Sequence, residues 1–200
     1  AQFAALTASQ LKALTPDEAA ALTSDQIRLL STGAIGGLTT AQFVALTPDA
    51  LSGLTAAQVA ALTSAQIATL TTSQLAALTT SQASAFTGTQ VKALNTAQVQ
   101  ALSLDQVRAL STGAIQSLST SQIRALDIED IGGLTTAQFA ALTASQLKAL
   151  TPDAATALLT SDQIRLLSTG AISGLTTAQF VALTPDAMSG LSTAQVAALT

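Results

Sequence analysis

The side chains able to do chemistry in this 200-residue chain are few. It has no Cys and no His, only seven basic and eleven acidic residues, and a formal charge of -4. Without thiolate or imidazole, the commonest general base and metal ligands are missing, and disulfides are excluded. The densest acidic cluster is Asp127-Ile128-Glu129-Asp130. Three carboxylates could attract calcium, but the glycine-punctuated loop of a calcium-binding helix pair is lacking, so the run reads as helix capping, with Asp127 at the N-cap. The units Leu30-Ser31-Thr32-Gly33-Ala34-Ile35, Leu110 to Ile115 and Leu167 to Ile172 hold single glycines and no Lys, unlike a phosphate-cradling loop. A serine or threonine nucleophile would need a base that nothing supplies. Catalytic, cofactor and metal residues are therefore all expected to be none.

Composition narrows the partners. Hydrophobic residues make up 48% and charged residues 9%, against a usual charged share of about 25%. An acidic chain offers no basic field for phosphates, so nucleic acid is not an expected partner. Thr, Ser or Gln interrupts every apolar run well short of the roughly 18 residues of a membrane span, so no transmembrane segment is expected. Trp and Tyr are absent, and with them the usual interface anchors.

The elements that carry these residues follow from an eight-residue period. Octads begin at Leu6, Leu14, Leu22 and onward with the consensus Leu-Thr-x-x-Gln-Val/Ile/Leu-x-Ala, and Phe86 replaces the first Leu once. Eight residues overshoot two α-helical turns by roughly 80°, so one long helix would spiral its Leu stripe around the axis. An apolar spacing of five, three, five, three defeats the two-residue alternation of a strand. The second position settles the choice: it is always Thr, Ser, Asn or Asp, the helix N-caps, as at Thr7, Thr15, Thr23, Ser31, Thr39, Asn95 and Asp127.

Position five then falls at N3, where Gln10, Gln26, Gln42, Gln58 and Gln66 complete capping boxes, and Leu at N′ faces an aliphatic N4 as a hydrophobic staple. Phe3, Phe43, Phe139 and Phe180 share that sixth, core-facing position. All four prolines, Pro16, Pro48, Pro152 and Pro185, fall at N1, where no N–H is missed. All seven cations (Lys12, Arg28, Lys92, Arg108, Arg124, Lys148 and Arg165) occupy position seven, and the acids cluster at positions two, four and five, the order that the helix dipole favours. A small residue closes most units, usually Ala, with Gly at Gly37, Gly53, Gly133, Gly174 and Gly190. The expected fold is all-α: a solenoid of one- to two-turn capped helices, one per octad, stable only as a stack because such helices cannot stand alone.

Residues 1–63 recur at 137–200, with one extra residue in the unit Leu150 to Leu158. Residues 1–200 read as one continuous array, an excerpt of something longer. Cations sixteen apart, Lys12 with Arg28 and Lys92 with Arg108, suggest two octads per coil.

The runs Leu38-Thr39-Thr40-Ala41-Gln42-Phe43-Val44-Ala45 and Leu54-Thr55-Ala56-Ala57-Gln58-Val59-Ala60-Ala61 resemble octads of very large, repeat-rich bacterial secreted or cell-surface proteins. The resemblance implies an extracellular or cell-surface location and a stalk, adhesin-like or fibre-forming role. Self-association of rods or filaments is the first expectation. The alternative is an adhesin-type module presenting Thr, Ser and Gln to carbohydrate, ice or protein, with Thr39-Thr40, Thr71-Thr72 and Thr135-Thr136 as candidate arrays.

Overall fold

A computed structural model describes residues 3–199; Ala1, Gln2 and Thr200, the outer ends of the recurring segments, lie outside the described residues. A short 3-10 turn at Phe3–Ala5 is followed by one α-helix per octad. The helices fall into two compact units, Ala1–Ser111 and Thr112–Thr200. The first holds α1 (Ala8–Lys12), α2 (Pro16–Ala20), α3 (Ser24–Leu29), α4 (Thr32–Gly36), α5 (Thr40–Ala45), α6 (Pro48–Ser52) and α7 (Ala56–Ala60). It continues with α8 (Ser64–Thr69), α9 (Thr72–Ala76), α10 (Thr80–Ser84), α11 (Gly88–Ala93), α12 (Thr96–Gln100) and α13 (Leu104–Ala109). The second holds α14 (Thr112–Ser117), α15 (Thr120–Ala125), α16 (Ile128–Gly132), α17 (Thr136–Ala140), α18 (Ala144–Ala149) and α19 (Pro152–Leu158). It ends with α20 (Ser161–Leu166), α21 (Thr169–Ile172), α22 (Thr177–Ala182), α23 (Pro185–Ser189) and α24 (Thr193–Ala197).

Each helix starts because an extended N-cap turns its side chain back onto the helix. Thr39, at φ -67° and ψ 160°, accepts the N–H of Gln42, and the Gln42 side chain accepts the N–H of Thr39. Most helices stop after five or six residues in one of two ways. The five-residue α1 ends on Ala13 in the right-handed helical region, while the six-residue α3 ends on Leu30, already extended for the next N-cap. Among the described residues none has a positive φ, glycines included.

Within each unit every helix packs on the helix three octads away. In the first unit α1 lies against α4, α2 against α5 and α3 against α6, and so on to α10 against α13; in the second, α15 lies against α18 and α21 against α24. Three octads, not two, therefore complete a coil of 24 residues. The sixteen-residue spacing of the cations misled because it tracks which octads carry a charge, not which octads stack. A two-segment coil would need each connection to reverse the chain, and tight reversals at helix ends commonly use a left-handed residue. Here the chain turns through an extended N-cap instead, a third of a revolution per octad. The step from Arg124 to Lys148 is the one that matches a full coil, and the Arg124 Nε donates to the carbonyl of Ala149, 25 residues on, at 3.1 Å.

The staple positions fill the core. Leu38, Leu46 and Leu54 at position one and Phe43, Leu51 and Val59 at position six are 4% exposed or less. The extra residue of the octad from Leu150 lengthens α19 to seven residues, closed by the Leu159 N–H on the carbonyl of Ala155. No helix is long and apolar enough to cross a membrane among the described residues.

Candidate functional site

The recurring polar residue of the octad does more than cap its own helix. In Gln58 the Oε1 accepts the N–H of Thr55 at 2.7 Å. Its Nε2 donates to the carbonyls of Ile27 at 2.8 Å and Leu30 at 2.7 Å, 31 and 28 residues earlier. The first is a C-terminal carbonyl of α3; the second sits on the residue between α3 and α4, outside any helical ladder, where a buried acceptor needs an outside donor. One amide thus closes its own N-terminus and the corner of the coil beneath.

The same arrangement repeats through the first unit. Gln66 donates to Ile35 and Leu38, Gln74 to Val44 and Leu46, Gln82 to Leu51 and Leu54, and Gln90 to Val59 and Leu62. Gln98 and Gln106 continue it onto Leu70 and Leu78. In the second unit Gln146 reaches Ile115 and Leu118, and Gln195 reaches Ile164 and Leu167. Gln179 bridges the inserted residue, reaching Leu147 and Leu150 at separations of 32 and 29. All of these glutamines are at most 3% exposed. Burying a primary amide costs free energy unless its donors and acceptors are used, and here both ends are.

Gln10 and Gln26 form capping boxes with Thr7 and Thr23. Gln42 has both roles, donating to Leu11 at 2.9 Å. Thr15, Ser31, Asn95 and Asp127 stand at the N-caps of α2, α4, α12 and α16. Asn95 does so through its Oδ1, 2.9 Å from the Gln98 nitrogen. Four octads of α4, α6, α21 and α23 place Ala34, Ala50, Ala171 and Ala187 at N3 and end on Gly37, Gly53, Gly174 and Gly190. There the backbone approaches instead of the amide: a Cβ on Gly53 would strike the Ser24 backbone, and one on Gly190 the Ser161 backbone.

The charged groups are scattered. Among the described residues no three of His, Cys, Asp or Glu gather where they could hold a metal ion. Asp127 spends its Oδ1 on the Asp130 N–H at 2.8 Å. Burial, then the charges of Asp127 and Glu129, hold the Asp130 carboxyl above its ordinary range. Glu18 takes the place of Gln in the box of α2, and hydrogen bonds from the Thr15 backbone and hydroxyl hold its carboxyl below the usual range. A cavity of about 580 Å³ lies in the second unit, lined by Ile123, Leu126, Ile131 and Leu150 together with Arg124, Asp127 and Glu129. Its lining is mostly apolar and carries charges of both signs.

Sequence reasoning assigned the glutamines to local capping and missed their second bond. A signal was present: a capping box accepts Glu as well as Gln at N3, yet sixteen octads use Gln there and one uses Glu. Preference for the amide over the acid marks a need for its N–H donors.

The coil-and-clamp unit has relatives in sequence. A family model described as the ALTTAQ repeat matches residues 19–56, 43–72, 84–112, 104–136 and 157–193. No curated protein matches the chain. The matched segments cover well over half of the 200 residues, each spans three to five of the capped octads described above, and the chain belongs to the ALTTAQ repeat family.

Proposed function

We propose that this chain is a structural spacer of an extracellular or cell-surface protein, a rod, stalk or filament segment whose length is set by its number of 24-residue coils. The observation that supports this reading is the glutamine clamp. It commits the recurring glutamine to joining successive coils, and the other recurrent positions to caps and core, which leaves no residue set for catalysis. Likeness of the octads to repeats of very large bacterial secreted proteins supports the location. The low charge of the flanks favours lateral self-association of neighbouring copies.

Lengthening tests the reading. Versions carrying one, two and three extra copies of residues 62–85 should gain equal steps of about 8–10 Å each in maximum dimension by solution scattering, the spacing of stacked helices. Growth as the cube root of mass would sink it. Surface labelling of intact source cells with an antibody to the repeats tests the location.

A second reading, an adhesin-type module, is favoured by the exposed hydroxyls of Thr72 and Thr96 at N1 of α9 and α12, which stack on one another in adjacent coils. Replacing both by Val should abolish carbohydrate binding without moving the melting temperature if that reading holds. Unchanged binding of a glycan array would remove it.

A further inference from the structure

An amide or a glycine closes the seam between coils in the octads described above; the octad of α19 has neither. Ala154 stands at its N3, and the unit runs on through Ala157-Leu158 with no glycine. In the clamped octads the amide reaches carbonyls 31 and 28 residues earlier, as Gln58 does with Ile27 and Leu30. Counted back from Ala154, the same two steps fall on Ile123 and Leu126, residues that are 2% and 5% exposed. Among the described residues neither of these carbonyls receives a hydrogen bond. In α3 the Leu30 N–H bonds the Ile27 carbonyl, but the equivalent Leu126 N–H passes over Ile123 to Gln122.

The cavity of about 580 Å³ lies at this corner, lined by Ile123, Leu126 and Ala154 themselves. Its size falls within the roughly 300–1,000 Å³ of small-molecule sites. At the glycine octads, by contrast, the backbones close on each other and leave no room even for a Cβ, as at Gly53 against Ser24. Ile131 and Leu150 add apolar wall, and Ile128, 48% exposed, opens the cavity to solvent. The polar groups of the lining are mostly acceptors. To the two carbonyls are added the carboxylates of Glu129 and Asp127, the latter keeping one oxygen after its Oδ1 takes the Asp130 N–H. Arg124 is the one cation of the lining, and its Nε is already held by the Ala149 carbonyl at 3.1 Å. Two carboxylates outweigh one guanidinium, so the local field favours a cation.

We propose that this cavity binds a small primary amine on an apolar body: the ammonium donates to the carbonyls of Ile123 and Leu126 in place of a clamping amide, Asp127 and Glu129 balance its charge, and Ile131 and Leu150 cover the apolar part. A primary ammonium carries three N–H donors, enough for both carbonyls and a carboxylate. The site lies inside the second unit and is independent of the spacer role.

Calorimetric titration of the protein with isoamylamine and with phenethylamine tests the assignment. A Kd of about 1 mM is expected, well within the ceiling for ligands this small. Isocaproate, a branched body of similar size that carries a carboxylate, should not bind. Ala154→Gln supplies the amide of the clamped octads; it should abolish amine binding and raise the melting temperature of the free protein. Glu129→Gln, at an exposed side chain, should weaken binding about two- to fivefold, the worth of one exposed ion pair, with the melting temperature unchanged. No saturable binding of either amine at about ten times the expected Kd would overturn the inference and leave water as the partner of both carbonyls. So would amine binding that survives Ala154→Gln, or isocaproate binding as tightly as the amines. None of these results touches the length increments of the lengthened versions, which test the spacer role separately.

Discussion

Residues 56–109 of the first unit and residues 127–166 of the second use the same octad to different effect. In the first stretch seven consecutive helices carry Gln at N3, from Gln58 to Gln106, and every one clamps the coil beneath it. In the second, Asp130 and Ala154 replace Gln, and Gln163 keeps its box with Thr160 at 3.1 Å but is only half-buried. The inserted residue of α19 lies between them, and the 580 Å³ cavity opens among the same helices. Capping is intact throughout, so a helix start needs only its own octad. A clamped coil-to-coil seam needs Gln as well, about 28 to 31 residues from its partners, where no glycine lets the backbones meet instead.

The largest break in that comparison should come from charging a clamp. Gln90 accepts the N–H of Thr87 at 2.9 Å and donates to Val59 and Leu62 at 2.8 Å each. Gln90→Glu keeps the acceptor that the capping box needs, and Glu18 proves that the acid is at home in a box. It turns the donor into an oxygen facing two carbonyl oxygens, a buried unpaired charge worth about 3–5 kcal/mol of destabilisation at neutral pH. Urea unfolding measures it, and acidification should recover part of the loss as the carboxyl regains a proton to donate. If Gln90→Glu is harmless, the amide is only a cap and the clamp contributes nothing.

Backbone contact replaces the clamp at the glycine octads, and it should break nearly as sharply. Gly53→Ala drives a Cβ into the backbone of Ser24, which cannot step aside as a side chain would. An overpacking cost of about 1–3 kcal/mol is expected. Gly33, in α4, has open space around the same Cβ. Gly33→Ala should stabilise by about 0.5–1 kcal/mol, the helical preference for Ala. Equal effects at the two sites, read from thermal melts, would mean that the close approach is not real.

Within the glutamines, Gln163→Ala should cost less than Gln90→Ala. The first forfeits a capping contact worth about 1 kcal/mol; the second also strands two buried carbonyls at about 1–3 kcal/mol. Equal losses would erase the distinction between the stretches.

What the sequence disclosed divides along the same line. Caps, boxes, proline at N1 and cations at position seven are contacts within four residues, and each has a local chemical signature that one octad suffices to display. The three-octad coil has none. Nothing in the Leu-Thr step of Leu38-Thr39 states how far the chain turns there, and the cations of Lys12 and Arg28 mark two sides of a three-sided coil. Gln58 was readable as a box because Thr55 is three residues away. Its bonds to Ile27 and Leu30 depend on the coil number, which the octad does not encode. Gly53 likewise reads as a helix end; only the stacked coil reveals that its missing Cβ makes room for Ser24.

The smallest effects should appear in acid, and they have opposite signs in the two units. Hydrogen bonds from Thr15 lower the Glu18 carboxyl below its ordinary value of 4.5. A lowered folded value means that the native state holds its proton less tightly than the unfolded chain. Its contribution is therefore present above the unfolded value and lost as pH falls through the folded one. Asp130 is raised above 3.8 by burial and by its neighbours Asp127 and Glu129. Its contribution is present below the unfolded value and lost as pH rises through the folded one. Glu18→Gln should thus flatten part of the acid-side fall in melting temperature, and Asp130→Asn should remove a loss that sets in as pH rises past the ordinary aspartate value of 3.8. Both shifts are small because Glu18 is exposed and Asp130 is only partly covered. If the two substitutions change the acid limb in the same direction, the acidic box of α2 and the crowded cap of α16 are not the distinct environments that their geometry describes.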